Sequence, residues 1–439
     1  MIRPIIAAMV ALPLVLILAI ALYYFYYHFY KVEDLFVKSG VVIVLIFTAL
    51  VIMRYMLLLF FSMVKTIFKS ADTIEELSTK RRKFKRVTIT VPAYNEEVVI
   101  EKALRSLLKQ SYPNLEIIVI DDGSSDRTFL KAKRMEFTTG DRSLRVLRKK
   151  NGGKANAINY GIEHSSGELI MVVDADSRLD PNAVMLMAAY FDDPEIAAVA
   201  GSVYVSNQNS LLTKLQALEY VEGLNMVRNG QAFLQLVNII PGPIGMFRKS
   251  ALYEVGLYDD DTFAEDCDVT LKLISHNYRI EFESDAVAYT EAPENLLDLI
   301  KQRYRWTRGI LQAIRKHKRA LWHIGKKPSV SFVLWYMLFE AIFWPFIDVW
   351  ANIFMIYLAI NSGVSILLFY WWALFGILDM AGALYCVLIT GERLSLAFYA
   401  LFYRLFFIEV INIAKIFPTV EEWFGIEMSW GKLERKGNL

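Results

Sequence analysis

Apolar residues fall into long unbroken tracts at both ends of the chain, while between about Thr73 and Lys327 they recur in short bursts broken by charge, glycine and proline. The first pattern is that of membrane helices, the second that of a globular domain. Residues 4–30 carry no Lys, Arg, Asp or Glu, and a helix needs about 20 residues to cross a hydrocarbon core. A cleaved leader would have a shorter apolar core followed by small residues, which "YYFYYHFYKVED" does not supply. A second crossing is expected over 41–64, and two more over the aromatic tract 329–360, with Pro345 in its middle, and over 364–390. The stretch 396–416 is apolar but holds Arg404, Glu409 and Lys415, so it is expected either to span or to lie along the interface. Glu340, Asp348, Asp379 and Arg404 are costly in lipid and should face a partner or a watery path. Arg54 is expected to snorkel to the headgroups.

Within the middle region, "RVTITVPAYNEE" opens with a β-branched run, and "VVIEKALRSLLKQ" follows with apolar residues at helical spacing. "LEIIVIDDGS", "SLRVLRK" and "GELIMVVDADS" read as further buried strands with helical patterns between them. This alternation predicts an α/β domain with a parallel sheet. The strands end in polar chemistry: Asn95 and Glu96, Asp121 and Asp122, Asp174 and Asp176. An open α/β sheet binds its ligand beyond those ends. A dinucleotide-binding domain would show GxGxxG at the first turn, where "PAYNEE" stands instead.

Composition sharpens this picture. The chain has 439 residues, of which 55% are hydrophobic and 14% aromatic, too apolar for a purely soluble protein. Net charge is +2, which suggests no nucleic-acid partner. The basic residues matter by position: residues 65–86 hold eight basic and three acidic residues, including "KRRKFKR". By the positive-inside rule the middle domain is therefore cytoplasmic. Cys267 and Cys386 offer neither a disulfide framework nor a metal spacing.

Four stretches carry candidate chemistry. In "VVDADS", Asp174 and Asp176 at i and i+2 would lie on one side of an extended chain. Carboxylates held that close favour Mg²⁺ or Mn²⁺, although two solvated loop acids are the bland alternative. In "KNGGKANAIN", the amides of Gly152 and Gly153 at a helix start, with Lys154 beside them, suit a diphosphate, whereas glycines often only make a turn. "FAEDCDVT" supplies Glu265, Asp266 and Asp268; Asp266 is the expected general base, and Asp268 is read as an acid complementing a helix dipole. In "QRYRW", Gln302, Arg305 and Trp306 share one helical face, with Leu296 and Ile300 roughly opposite. That face suits a diphosphate and the flat side of a sugar, while Arg303 and Tyr304 read as interfacial anchors.

Taken in order, "PAYNEE", "DDGSSD", "GGKANA", "DAD", "GPIGMFR", "AED" and "QRYRW" resemble the membrane-embedded, processive family 2 glycosyltransferases, which include cellulose, chitin, hyaluronan and poly-N-acetylglucosamine synthases. The resemblance implies a GT-A-type domain and inverting, metal-dependent transfer from a UDP-sugar, UDP-GlcNAc or UDP-Glc, to a growing β-linked polysaccharide. It implies Pro92, Tyr94, Glu96, Asp121 and Asp122 around the uracil and ribose, and Lys154 at the diphosphate. Asp174 and Asp176 would serve ribose and metal. Asp266 would be the base with Glu265 beside it. Gln302 and Arg305 would close over the pyrophosphate, and Trp306, with Gly242 and Pro243, would meet the acceptor. "WGKLERKG" is similar to the gating loop of hyaluronan synthases, which implies Trp430 as a donor contact, although Lys432 and Leu433 depart from that pattern. The family's TED is here Ala264-Glu265-Asp266, without the threonine hydroxyl.

The implied organisation is two crossings in 1–64, a basic linker in 65–86, the transferase domain in 87–290 and interfacial helices in 291–328. Membrane helices in 329–416 and a cytoplasmic segment in 417–439 follow. The partners implied are the nucleotide sugar, the polysaccharide and the cell-membrane bilayer, and an accessory membrane subunit is left open. Two other readings stand beside this one. A single-transfer enzyme that loads a polyprenyl phosphate shares the fold without needing the "QRYRW" face. A catalytically silent scaffold or transporter subunit would not need the acids.

Overall fold

The computed structural model describes residues 34–68, 84–323, 328–361 and 365–426, with residues 23, 325 and 437 besides. The expected crossing at 4–30, apart from Tyr23, most of the basic linker and Trp430 lie outside the described residues. The chain forms two compact units.

The globular unit is built on nine strands: β1 (Val87–Ala93), β2 (Leu115–Asp121), β3 (Phe137–Thr139), β4 (Arg142–Arg148), β5 (Leu169–Val172), β6 (Ser177–Leu179), β7 (Ile196–Val205), β8 (Gly245–Arg248) and β9 (Arg279–Thr290). They form one sheet in the order β3-β4-β2-β1-β5-β8-β7-β9-β6. The run β4-β2-β1-β5 is parallel, as the alternating pattern predicts. The remainder is mixed, because β8 enters antiparallel to both β5 and β7. β1 and β2 are buried along their whole length, which their continuous β-branched runs require of strands covered on both faces.

Four helices position the chemistry: α1 (Ile100–Leu108), α2 (Lys154–Glu163), α3 (Glu265–Ser275) and α4 (Leu296–Lys316). α1 buries Ile100, Ala103, Leu104 and Leu107, the i, i+3, i+4, i+7 stripe of an amphipathic helix. α4 starts where the Asn295 side chain accepts the Asp298 amide at 2.9 Å. Arg315 and Lys316 in its last turn complement the dipole.

Among the described residues, four helices are long and apolar enough to cross a membrane: Leu35–Phe68, Pro328–Asn361, Trp371–Thr390 and Leu394–Phe424. The last contains the charged stretch 396–416, and at 31 residues it falls within the range of lengths of the other three. Its charges do not forbid this, because they are partnered. Arg404 donates from Nε to Asp379 at 2.7 Å and from a terminal nitrogen at 3.0 Å, under the ring of Phe375. Asn412 donates to Asp348 at 2.8 Å, and Asn352 donates to Glu409 at 2.9 Å while accepting from Trp372 at 2.9 Å. Arg54 pairs with Glu340 and lies over Trp344, so its charge is held inside the helices.

Helix Pro328–Asn361 passes Pro345 without breaking, because a π-helical segment, Phe339–Phe343, precedes it. The wider turn relieves the clash that a proline makes with the preceding carbonyls. Residues 214–233, expected within the globular domain, pack with the apolar unit instead, and Phe233 stacks on Phe61 with centroids 5.3 Å apart.

Candidate active site

Register places the polar ends of β1 and β2 side by side, since Ala93 sits opposite Asp121. The loops that follow are tied together: the Asn95 amide donates to Ser124 at 2.9 Å, the Ser125 amide to Asn95 at 2.8 Å and the Glu96 amide to Thr128 at 2.7 Å. Tyr94 is 44% exposed beside this seam, whereas Pro92 is buried within β1 opposite Ile120. Asp121 is fully buried, with the Arg148 Nε 3.0 Å from its carboxylate.

Asp122 is bonded to backbone and lysine donors of the same loop region. Its carboxylate accepts from the amides of Gly152 at 3.0 Å and Gly153 at 2.9 Å, and from Lys149 at 2.7 Å. The two glycine amides read as a diphosphate cradle are therefore engaged by an internal carboxylate. Lys149, which the sequence reading passed over, completes that arrangement.

Beyond β5 the acids converge. Lys154, the first residue of α2, sits 2.7 Å from Asp174 and 2.8 Å from Glu265. Gly242 closes the other side: its amide donates to Asp266 at 3.3 Å, and a Cβ there would lie 2.9 Å from the Lys154 ammonium and 3.3 Å from Asp174. A larger residue there would have to push the Lys154 ammonium aside. The structure thus gathers Lys154, Asp174, Glu265, Asp266 and Gly242 from four separate segments, with Pro243 half-buried next to Gly242.

Asp174 and Asp176 do not lie on an extended chain. The Ser177 amide donates to the Asp174 carbonyl at 3.0 Å, closing a turn between β5 and β6. Asp174 faces Lys154, while the buried Asp176 accepts from the Ser177 hydroxyl at 3.3 Å. A strand that ends at Val172, two residues before the first acid and four before the second, cannot hold both on one edge.

The electrostatics follow from this crowding. Burial pushes the Asp266 carboxyl up to about 6; Glu265 adds repulsion, and Lys154 together with the Cys267 amide opposes the rise. Burial works against the charge on Lys154, but Asp174, Glu265 and Asp266 outweigh it and hold the ammonium well above its ordinary range. A carboxylate whose proton affinity has been raised toward neutrality, beside a permanently charged ammonium, has the properties of a general base next to an anion-binding group. Tyr258, buried among these charges, was not singled out from the sequence.

α4 lies against α3 at the same site. Gln312 accepts the Phe263 amide at 3.1 Å. The fully buried Asp268 accepts from Lys316 at 3.0 Å and from the His317 ring at 2.8 Å. Burial disfavours the Asp268 charge, yet those two hydrogen bonds outweigh it and keep the carboxyl below its usual range. Asp268 is thus a tie between two helices as well as a first-turn acid.

On α4 itself, Gln302 is buried and its Oε1 has no hydrogen-bond partner. Arg305 is half-buried and Trp306 is 36% exposed. Arg303, read as an anchor, is 4% exposed with its guanidinium carbon 4.3 Å from the centroid of the Trp306 ring.

Residues 88–256 match the sequence profile of Glycosyl transferase family 2. The chain is 33% identical over 271 residues to a poly-β-1,6-N-acetyl-D-glucosamine synthase of Staphylococcus epidermidis, a stretch that covers 61% of this chain and 63% of that one. It is 34% identical over 265 residues to the synthase of the same name from Staphylococcus aureus strain COL, covering 60% and 63%. The match thus spans less than two thirds of these relatives. In three dimensions the chain is similar to a mannosyltransferase from Pyrobaculum calidifontis solved with GDP-mannose and Mn²⁺. The TM-score is 0.61 at 22% identity, over 88% of this chain and all of that one, a likeness of fold.

Proposed function

Because the chain carries a family 2 glycosyltransferase domain, we propose that it transfers a sugar from a UDP-sugar to the end of a growing β-linked polysaccharide and exports the chain through its own helices. The names of its relatives make UDP-N-acetylglucosamine the leading donor. The observation that carries the reading is the meeting of Lys154, Asp174, Glu265 and Asp266 with the Asp266 carboxyl raised to about 6.

The seam between the loops after β1 and β2, with Tyr94 on it, takes the uracil and ribose. Lys154 takes the diphosphate, with Gln302 and Arg305 approaching from α4. Asp266 accepts the proton of the acceptor hydroxyl as that oxygen bonds to the anomeric carbon, and the bond from that carbon to the diphosphate breaks. Attack from the face opposite an α-linked UDP inverts the centre to β.

The fold family also implies a divalent cation. The ammonium lodged between Asp174 and Glu265 supports the fit at Asp174 alone, since it stands where that acid favours positive charge. Asp174, with Asp176 in the same turn after β5, would hold the ion, which would supply positive charge to the diphosphate. Export is supported by polar side chains within the apolar unit, where buried charge usually marks a path. The charge of the basic linker favours a cytoplasmic catalytic domain in a multi-pass protein.

Product sizing tests the reading. Membranes carrying the protein and supplied with labelled UDP-N-acetylglucosamine or UDP-glucose should yield polymer from one of them. A single-sugar lipid product would instead support the polyprenyl-phosphate enzyme, and no product from either would support a silent scaffold.

A further inference from the structure

α4 places Arg303 three residues before Trp306, so the two side chains share a face of the helix. The guanidinium lies over the indole, its carbon 4.3 Å from the ring centroid, well inside the range in which a cation is attracted by a π-face. A parallel contact one turn on is looser, with the Arg308 guanidinium carbon 6.0 Å from the Tyr304 ring. Arg303 is almost wholly buried while Trp306 keeps 36% of its surface exposed. The indole is therefore held by a buried cation and keeps about a third of its surface exposed.

A tryptophan that stacks a pyranose must hold its ring plane, since the apolar face of the sugar lies flat on it and each rotation of the side chain costs overlap. A planar guanidinium over the ring fixes that plane. An ammonium keeps the charge but lacks the planar surface of a guanidinium, and an uncharged chain of similar length lacks both.

We propose that Arg303 is a positioning residue that sets the indole plane of Trp306 for a pyranose of the growing chain. The inference rests on the acceptor reading of α4 and deepens it by assigning a role to the residue beside Gln302.

The test uses the full chain in membranes, with Arg303→Met, Arg303→Lys and Trp306→Ala. It measures product length, KM for an added β-linked N-acetylglucosamine oligosaccharide, and KM for UDP-N-acetylglucosamine. Arg303→Met should shorten the product and raise the acceptor KM about tenfold, the loss expected for a desolvated cation–π contact, while the donor KM stays within about twofold. Arg303→Lys should fall between Met and wild type. Wild-type length and acceptor KM in Arg303→Met, when Trp306→Ala alters both, would overturn the inference and leave the acceptor reading standing. Donor and acceptor KM rising together would assign Arg303 to the scaffold and overturn it equally. Trp306→Ala with unchanged length and acceptor KM would remove the acceptor reading itself, and this inference with it.

Discussion

Gly309 presses directly on Ala264: a Cβ on Gly309 would lie 2.6 Å from both the Cβ and the amide nitrogen of Ala264. The helix bearing the "QRYRW" residues is thereby seated on the residue that precedes Glu265 and Asp266.

Gly309→Ala should therefore act at a distance from the chemistry. Backbone atoms receive the clash, so the helices must part, at a cost of about 1–3 kcal/mol for overpacking. The expected result is a fall in kcat with UDP affinity retained, measured by turnover and by UDP binding. Unchanged kcat would mean that the α3–α4 seat does not position Asp266.

Transfer should fail in acid. The Asp266 carboxyl is raised to about 6, so it takes up a proton as pH falls through that value and the base is lost from below. The rate at pH 5 should be about tenfold lower than the plateau, as expected one unit below the controlling pKa. Asp266→Asn should abolish transfer at every pH while UDP still binds. A variant that turns over at wild-type rate would remove Asp266 from its role.

Lys154→Met should move that acid limb to higher pH. The ammonium lowers the proton affinity of Asp266, so its loss leaves only the Cys267 amide to oppose burial and Glu265. Donor KM should rise as well, because the group proposed for the diphosphate is gone. A pH–rate profile at saturating donor separates the two effects, and an unshifted limb would argue against electrostatic contact between Lys154 and the base.

Asp379→Asn should destabilise the apolar unit rather than the chemistry. It strips the charge partner from Arg404, which is buried beneath Phe375, and an uncompensated buried charge costs about 3–5 kcal/mol. Unfolding in detergent should shift to lower temperature, whereas the double variant Asp379→Leu, Arg404→Leu should recover much of the loss. A single variant as stable as wild type would show the pair to be dispensable.

Removing divalent cations should stop turnover, and adding back Mg²⁺ or Mn²⁺ should restore it. Full activity in a chelator would exclude the proposed role of Asp174 and Asp176.

The sequence alone determined much of this protein, because its signals are local. Period-2 and continuous β-branched runs specified β1, β2, β4 and β5, unbroken apolar tracts specified the long helices, and "DAD", "AED" and "QRYRW" marked the acids and the aromatic helix. What depended on partners far along the chain was decided by tertiary structure. Nothing local shows that Asp122 takes the amides of Gly152 and Gly153, that Lys154 bridges Asp174 and Glu265, or that Asp268 ties α3 to α4. The charged stretch 396–416 shows the same rule from the other side. Read alone, Arg404 argues against a long apolar helix, yet with Asp379 across from it the charge is satisfied and the helix runs on. Patterns of burial are written into neighbouring residues, whereas the energy of a buried charge depends on what lies opposite, and only the fold supplies that.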